Sequence, residues 1–189
     1  MTIRRNIVWF RRDLRITDHP ALVAAIENSD EIVPVFILDK TQISEAGSKL
    51  LAYMGQSLRA LDQSLGNKLH IIEGDQVEVL KELIDLYGVS EVHISAEYER
   101  YGAERDVRVE KAGINLIRTG SPYAVAPGRV VKPSDGTPYR VYTPFYRAWC
   151  VHGWRAPAKT PKEIKAPTPP AKYRAFPDFV MPAGVEVIQ

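Results

Sequence analysis

Two kinds of periodicity alternate along the first 120 residues. Asn6–Phe10 (NIVWF) and Glu31–Leu38 (EIVPVFIL) are β-rich runs of consecutive apolar positions, and Leu69–Glu73, Val92–Ser95 and Ile114–Arg118 are three shorter ones. A strand with one wet face alternates apolar and polar residues, so continuous runs predict strands covered on both faces, as in a parallel sheet. Between them the period changes. Leu51, Met54, Leu58, Leu61 and Leu65 form one apolar stripe on a 3.6-residue repeat, with Ser48 as the expected cap and Gly66 as the stop. A second helix is predicted over Gln76–Tyr87, with Val77, Leu80, Leu83, Ile84 and Tyr87 facing inward. Asp75-x-x-Glu78 gives it capping-box spacing, and Gly88 ends it. Ala21–Asn28 is expected to follow Asp18 as cap with Pro20 in its first turn, and a weaker helix, Ala103–Ala112, stops at Gly113. Helix, glycine, short polar step and strand recur at Gly66, Gly88 and Gly113. That rhythm predicts an α/β fold: βα units with right-handed crossovers in a doubly wound, Rossmann-like parallel sheet of five strands.

After Arg118 the rhythm stops. Turn formers dominate residues 120–140, a short helix is predicted over Thr143–Cys150, and from Ala156 the proline spacing is expected to enforce an extended strap. The expected division is an α/β core over 1–121, a domain-closing loop and short helix over 122–150, and a Pro-rich strap over 151–189. Charge sharpens this division. Residues 1–121 carry 15 basic and 19 acidic groups, whereas residues 122–189 carry 10 basic and 4 acidic groups and hold twelve of the 14 prolines. Ten of the 17 aromatic residues also follow residue 121, more than a free linker needs, so the strap is expected to lie against a surface, that of a further domain.

Several classes of chemistry drop out. No apolar run approaches the roughly 18 residues of a membrane span, the first residues lack a signal-peptide pattern, and a single cysteine, Cys150, suits a reducing cytoplasm. There is no G-x-G-x-x-G, no G-x-x-x-x-G-K-[ST] and no G-x-S-x-G. The four histidines have no paired spacing, so no metal site is expected. In a doubly wound sheet, ligands bind beyond the carboxyl ends of the strands. The segments there supply Phe10, Arg11, Phe36, Asp39, Glu97, Tyr98 and Glu99, a rim that could hold a flat polar heterocycle between aromatic faces and carboxylates. The competing possibility is that Arg11, Arg12 and Arg15 pair structurally with Asp13, Asp18, Glu97 or Glu99.

Four segments carry a resemblance. They are Val8-Trp9-Phe10-Arg11-Arg12-Asp13-Leu14-Arg15 with Asp18-His19-Pro20-Ala21-Leu22; Val35-Phe36-Ile37-Leu38-Asp39; Glu97-Tyr98-Glu99-Arg100-Tyr101-Gly102 with Arg105-Asp106; and Pro138 through Trp149. In order and spacing, across roughly residues 5–150, the chain resembles the first domain of the photolyase/cryptochrome family. The resemblance implies an α/β domain that binds a light-harvesting antenna: a deazaflavin, methenyltetrahydrofolate or, in some members, a flavin such as FMN. It further implies a parent protein with a helical domain that binds FAD and damaged DNA and splits pyrimidine dimers with light. That helical domain has no counterpart in these 189 residues, so no catalytic residue is assigned and the chain alone is expected to be inactive in repair. By position, Phe10, Arg11, Phe36, Leu38, Asp39, Glu97 and Glu99 are expected to line the antenna pocket. Leu50 stands where deazaflavin-binding relatives can have arginine. Two alternatives share parts of the pattern: a cryptochrome photoreceptor, and a stand-alone nucleotide-binding α/β module, which would be expected to carry a late glycine-rich phosphate loop that this chain lacks. The basic tail, with Lys159, Lys162 and Lys165, is read as solvated lysines rather than a DNA-contacting surface.

Overall fold

A computed structural model describes residues 3–179 and 182–184. Five strands, β1 (Arg5–Phe10), β2 (Glu31–Leu38), β3 (His70–Glu73), β4 (Val89–Ile94) and β5 (Leu116–Arg118), form one parallel sheet in the order β3-β2-β1-β4-β5. Six helices complete the chain: α1 (Pro20–Glu27), α2 (Lys40–Glu45), α3 (Ser48–Ser64), α4 (Gln76–Tyr87), α5 (Arg100–Lys111) and α6 (Tyr142–His152).

The continuous apolar runs have the predicted cause. Ile7, Trp9, Val33, Val35 and Ile37 enter one core with Leu80 and Leu83 of α4 and Val109 of α5. Their alternates Val8, Phe10, Ile32, Phe36 and Leu38 enter a second with Leu22 of α1 and Leu58 and Leu61 of α3. Successive strand residues point to opposite faces, so a strand buried on both sides must be apolar at every position. Gly88 adopts φ 63°, ψ 44° and closes α4 with its N–H on Ile84 O, a left-handed cap that glycine takes without a Cβ clash.

Several boundaries differ from expectation. Asp18 does not cap α1; the ring Nδ1 of His19 accepts from Leu22 N at 3.0 Å, and the Asp18 carboxylate instead holds Arg155 at 2.6 Å and Ala158 N at 2.8 Å. Ser48 is the first helical residue of α3, with Gly47 in the cap position. β4 begins at Val89, directly after the glycine, and α5 begins at Arg100 because Arg100 pairs with Glu104 one turn on. The short α2, capped by Asp39 on Thr41 N at 2.9 Å, has too few periodic positions to stand out in the sequence.

The strap differs most. It lies back along the α/β body. Lys165 O accepts from Ile32 N at 2.9 Å, where β2 has not yet reached β3, and Arg174 bridges Ile71 in parallel on the outer edge of β3. Ile164, Ala166 and Phe176 pack on the second core, and Tyr173, in a 3-10 turn over Ala171–Tyr173, is buried in the first. Arg174 grips the buried Asp62 with two bonds, 2.8 and 2.9 Å. The prolines and aromatics thus serve to cover an open sheet edge.

Candidate functional site

The sheet order reverses between β1 and β4, and a cavity of about 320 Å³ opens just past the carboxyl ends of β1, β2 and β4. It adjoins a second hollow of about 300 Å³ that shares Arg11, Arg12, Phe36, Asp39, Gln42 and Leu50. Each is at the small end of the roughly 300–1,000 Å³ typical of ligand sites.

Arg11 organises the floor. Its side chain is 5% exposed; Nε lies 3.0 Å from Glu97, one terminal nitrogen 2.7 Å from Asp106, and the other bonds the carbonyl of Ser95. Arg105 joins from α5, 3.4 Å from Glu97 and 2.9 Å from Asp106. Both guanidiniums sit over the Trp9 ring, at 5.2 and 4.8 Å from its centroid. Burial, then the neighbouring Arg105 charge, pulls the Arg11 pKa down, against the pull of Glu97, Asp106 and Asp13. Behind it, His19 Nε2 lies 2.9 Å from Asp13 Oδ2, and the Asp13 carboxylate accepts the Arg11 backbone N–H at 3.2 Å. Burial alone would raise the Asp13 pKa, but the bonds from His19, Ser95 and Arg11 outweigh it and hold the carboxyl well below the usual range.

Gly102 explains how Glu97 fits. A Cβ there would overlap Glu97 Oε2 and stand 3.0 Å from Glu97 Cβ, so the first turn of α5 can lie against the carboxylate only at glycine.

The expected residues are distributed as follows. Phe10, Arg11, Phe36, Asp39, Glu97 and Glu99 line the first cavity, and Leu38 lines only the second. Phe10 contributes from below: its ring is fully buried, edge-on to His19 at 5.2 Å, and offers no stacking face. Asp39 Oδ2 accepts from Gln76 at 2.7 Å and from the Tyr101 hydroxyl. Burial and then that bond push the Tyr101 pKa up to about 12. Glu99 is exposed and pairs with Arg12 at 2.6 Å. Arg11 and Arg12 therefore make the structural ion pairs weighed above, whereas Arg15 bonds only the carbonyls of Thr17 and Asp18. Trp9, Gln42, Gln76, Tyr101 and Arg105 also line the cavity and escaped sequence reasoning. Of these, Tyr101 and Arg105 lie at i and i+4 on α5, a spacing that puts both on one helix face and could have found them.

The family model described as DNA photolyase matches residues 6–168. The chain belongs to the DNA photolyase family. It is 33% identical over 172 residues to a deoxyribodipyrimidine photo-lyase of Streptomyces griseus, a match covering 85% of this chain and 38% of that one. It is 35% identical over 171 residues to the Agrobacterium fabrum enzyme, covering 85% and 35%. The photolyase-family chain thus spans little more than a third of these relatives. Chicken cryptochrome-2 is 29% identical over 150 residues, covering 75% of this chain and 26% of that protein. Among solved structures, a bacterial class III photolyase from Agrobacterium tumefaciens superposes with TM-score 0.73 at 31% identity, covering 88% of this chain and 36% of that one. An archaeal photolyase from Sulfolobus tokodaii, described with two FAD molecules and a novel light-harvesting cofactor, gives 0.70 at 25% identity, covering 87% and 37%. The fold is that of the photolyase N-terminal domain. Among the described residues, no helix is long and apolar enough to cross a membrane, and no His, Cys, Asp and Glu cluster could hold a metal ion.

Proposed function

We propose that this chain is the light-harvesting, chromophore-binding part of a deoxyribodipyrimidine photolyase. The observation that carries the reading is the cavity at the sheet's reversal point, where aromatic side chains and hydrogen-bonding carboxylates face one space. These residues suit a flat heterocycle of the flavin, deazaflavin or methenyltetrahydrofolate class. Phe36 and Tyr101 offer apolar walls, Asp39 and Glu97 offer acceptors for ring N–H groups, and the exposed Arg12 stands where an anionic tail would leave the cavity. The two FAD molecules of the Sulfolobus photolyase make FAD a further member of this set. When bound, the chromophore supplies absorption of near-UV or blue light and passes the excitation on. The chain's own part is to bind it, orient it against the Arg11–Glu97 floor and keep water from its buried face.

Dimer splitting we assign to the FAD-binding helical domain of the parent protein, acting on damaged DNA. The face of α6 that exposes Tyr142 (72%) and Tyr146 (49%), one turn apart, is the surface on which that domain would rest. A cryptochrome parent would use the same chromophore site, and the two readings part only at repair by the parent protein. The test is the spectrum of this chain purified from its own host: an absorption band in the near-UV or blue that follows the protein through gel filtration supports the reading. A protein band alone, even after incubation with each chromophore class, overturns it.

A further inference from the structure

A separate cavity, of about 580 Å³, lies across the Ala96–Glu99 segment from the chromophore cavity. The segment is extended, so its residues alternate: Glu97 and Glu99 line the chromophore cavity, Ala96 and Tyr98 line this one, and the two cavities share no lining residue. Three aromatic side chains, Tyr98, Tyr123 and Trp154, meet its space, with Tyr98 and Tyr123 at 6.2 Å between centroids. Trp149 stacks behind Trp154 at 4.8 Å and 26°, which steadies the indole while leaving it 60% exposed.

The same cavity takes Arg118, Arg129, Arg155 and His152, and no carboxylate lines it. Arg118 and Arg155 are oriented from outside, by Glu110 and by Asp18. Arg129 has no carboxylate partner among the described residues. The surrounding chain is one-sided in charge: residues 118–159 hold seven lysines and arginines against one acid, Asp135. Guanidiniums with unused donors favour phosphate, with which they form paired hydrogen bonds. Aromatic faces beside them favour a planar ring.

We infer that this cavity binds a nucleoside phosphate, its base against Trp154 and the two tyrosines and its phosphate among Arg118, Arg129 and Arg155. The inference stands apart from the chromophore reading, because no lining residue is common to the two cavities. The shared chemistry admits two sources, a free nucleotide or one nucleotide of a single strand.

The test is calorimetric titration of the native chain at low salt with AMP, adenosine, inorganic phosphate and a hexamer of deoxythymidine. AMP is expected to bind, with adenosine and phosphate each weaker by roughly tenfold or more, because each lacks one half of the recognition. Trp154→Ala and Arg129→Ala are each expected to weaken AMP by a similar factor, whereas Lys81→Ala, which removes a charge from α4, leaves it unchanged. Both side chains are exposed, so circular dichroism is expected to show both variants folded. A hexamer that outcompetes AMP and weakens in the same two variants identifies a strand as the source; a hexamer no better than AMP identifies the free nucleotide. No AMP binding, phosphate binding as tightly as AMP, or equal weakening by Lys81→Ala overturns the inference.

Discussion

Arg11 is at once the centre of a buried ion-pair network and part of the cavity lining. Its charge is shared with Glu97 and Asp106, all three nearly sequestered from water, so removing it leaves the two carboxylates to Arg105 and, for Asp106, to the more distant Arg118 at 3.9 Å. Arg11→Met should cost about 3 kcal/mol, the lower end for breaking a buried pair. Arg11→Met with Glu97→Gln should recover part of that, as urea unfolding midpoints in a double-mutant cycle would read. Gly102→Ala should displace Glu97 and weaken chromophore retention without a new charge. His70 sets a pH limit. Burial holds its pKa down at about 4, despite the Pro34 and Lys68 carbonyls, and Tyr87 occupies its other nitrogen. The unfolded chain takes up a proton near pH 6.5 and the folded chain does not, so His70 stability is intact above that pH. It is lost as pH falls toward 4, on the order of 3 kcal/mol. His70→Phe should flatten the unfolding midpoint across that window; an unchanged slope would contradict the assignment. At this scale the sequence names Arg11, Asp39 and Glu97, because strand ends are legible. It gives no site role to Asp106 or Gln76, since which helical residues turn toward a strand end depends on packing angles no periodicity records.

Elements are legible where their limits are set by their own residues. β2 and α4 match their expected limits because each is bounded by its own chemistry: an apolar run in one case, Asp75 and Gly88 in the other. The cap of α1 depends on a contact with a distant residue, Arg155, which draws Asp18 away, and the onset of α5 follows the Arg100–Glu104 pair one turn on. Proline and aromatic content in the strap announce contact without saying with what, and the structure shows the α/β body as one such surface. The strap's anchor is Arg174 on the buried Asp62; Arg174→Ala should cost about 1.5–3 kcal/mol, the range for bonds to a charged group. Limited proteolysis should then cut within 155–175, where the native chain resists. The helix α6 is the opposite case. It has 11 residues, none buried, and isolated helices below about 12–15 residues are marginal in water. Hydrogen exchange should find α6 far less protected than α3 or α4, and a contact surface on its outer face should restore protection.

For the whole molecule, the charge and proline asymmetry along the chain has a structural meaning different from two stacked domains. The acidic part is the sheet and its helices; the basic part begins as an exposed helix and loop, then runs back along the sheet edge that the βα units leave open. What the fold protects is the reversal point of the sheet, with its floor of neutralised charge and its aromatic wall. The most direct test is equilibrium binding of FAD, FMN, deazaflavin and methenyltetrahydrofolate to the native chain and to Asp39→Asn, which keeps the α2 cap but removes the carboxylate charge. At least one chromophore should bind the native chain stoichiometrically and about tenfold more weakly after the substitution, the loss expected of one hydrogen bond to a charged group. A folded chain that retains none of the four, or binds one identically in both forms, would contradict the account.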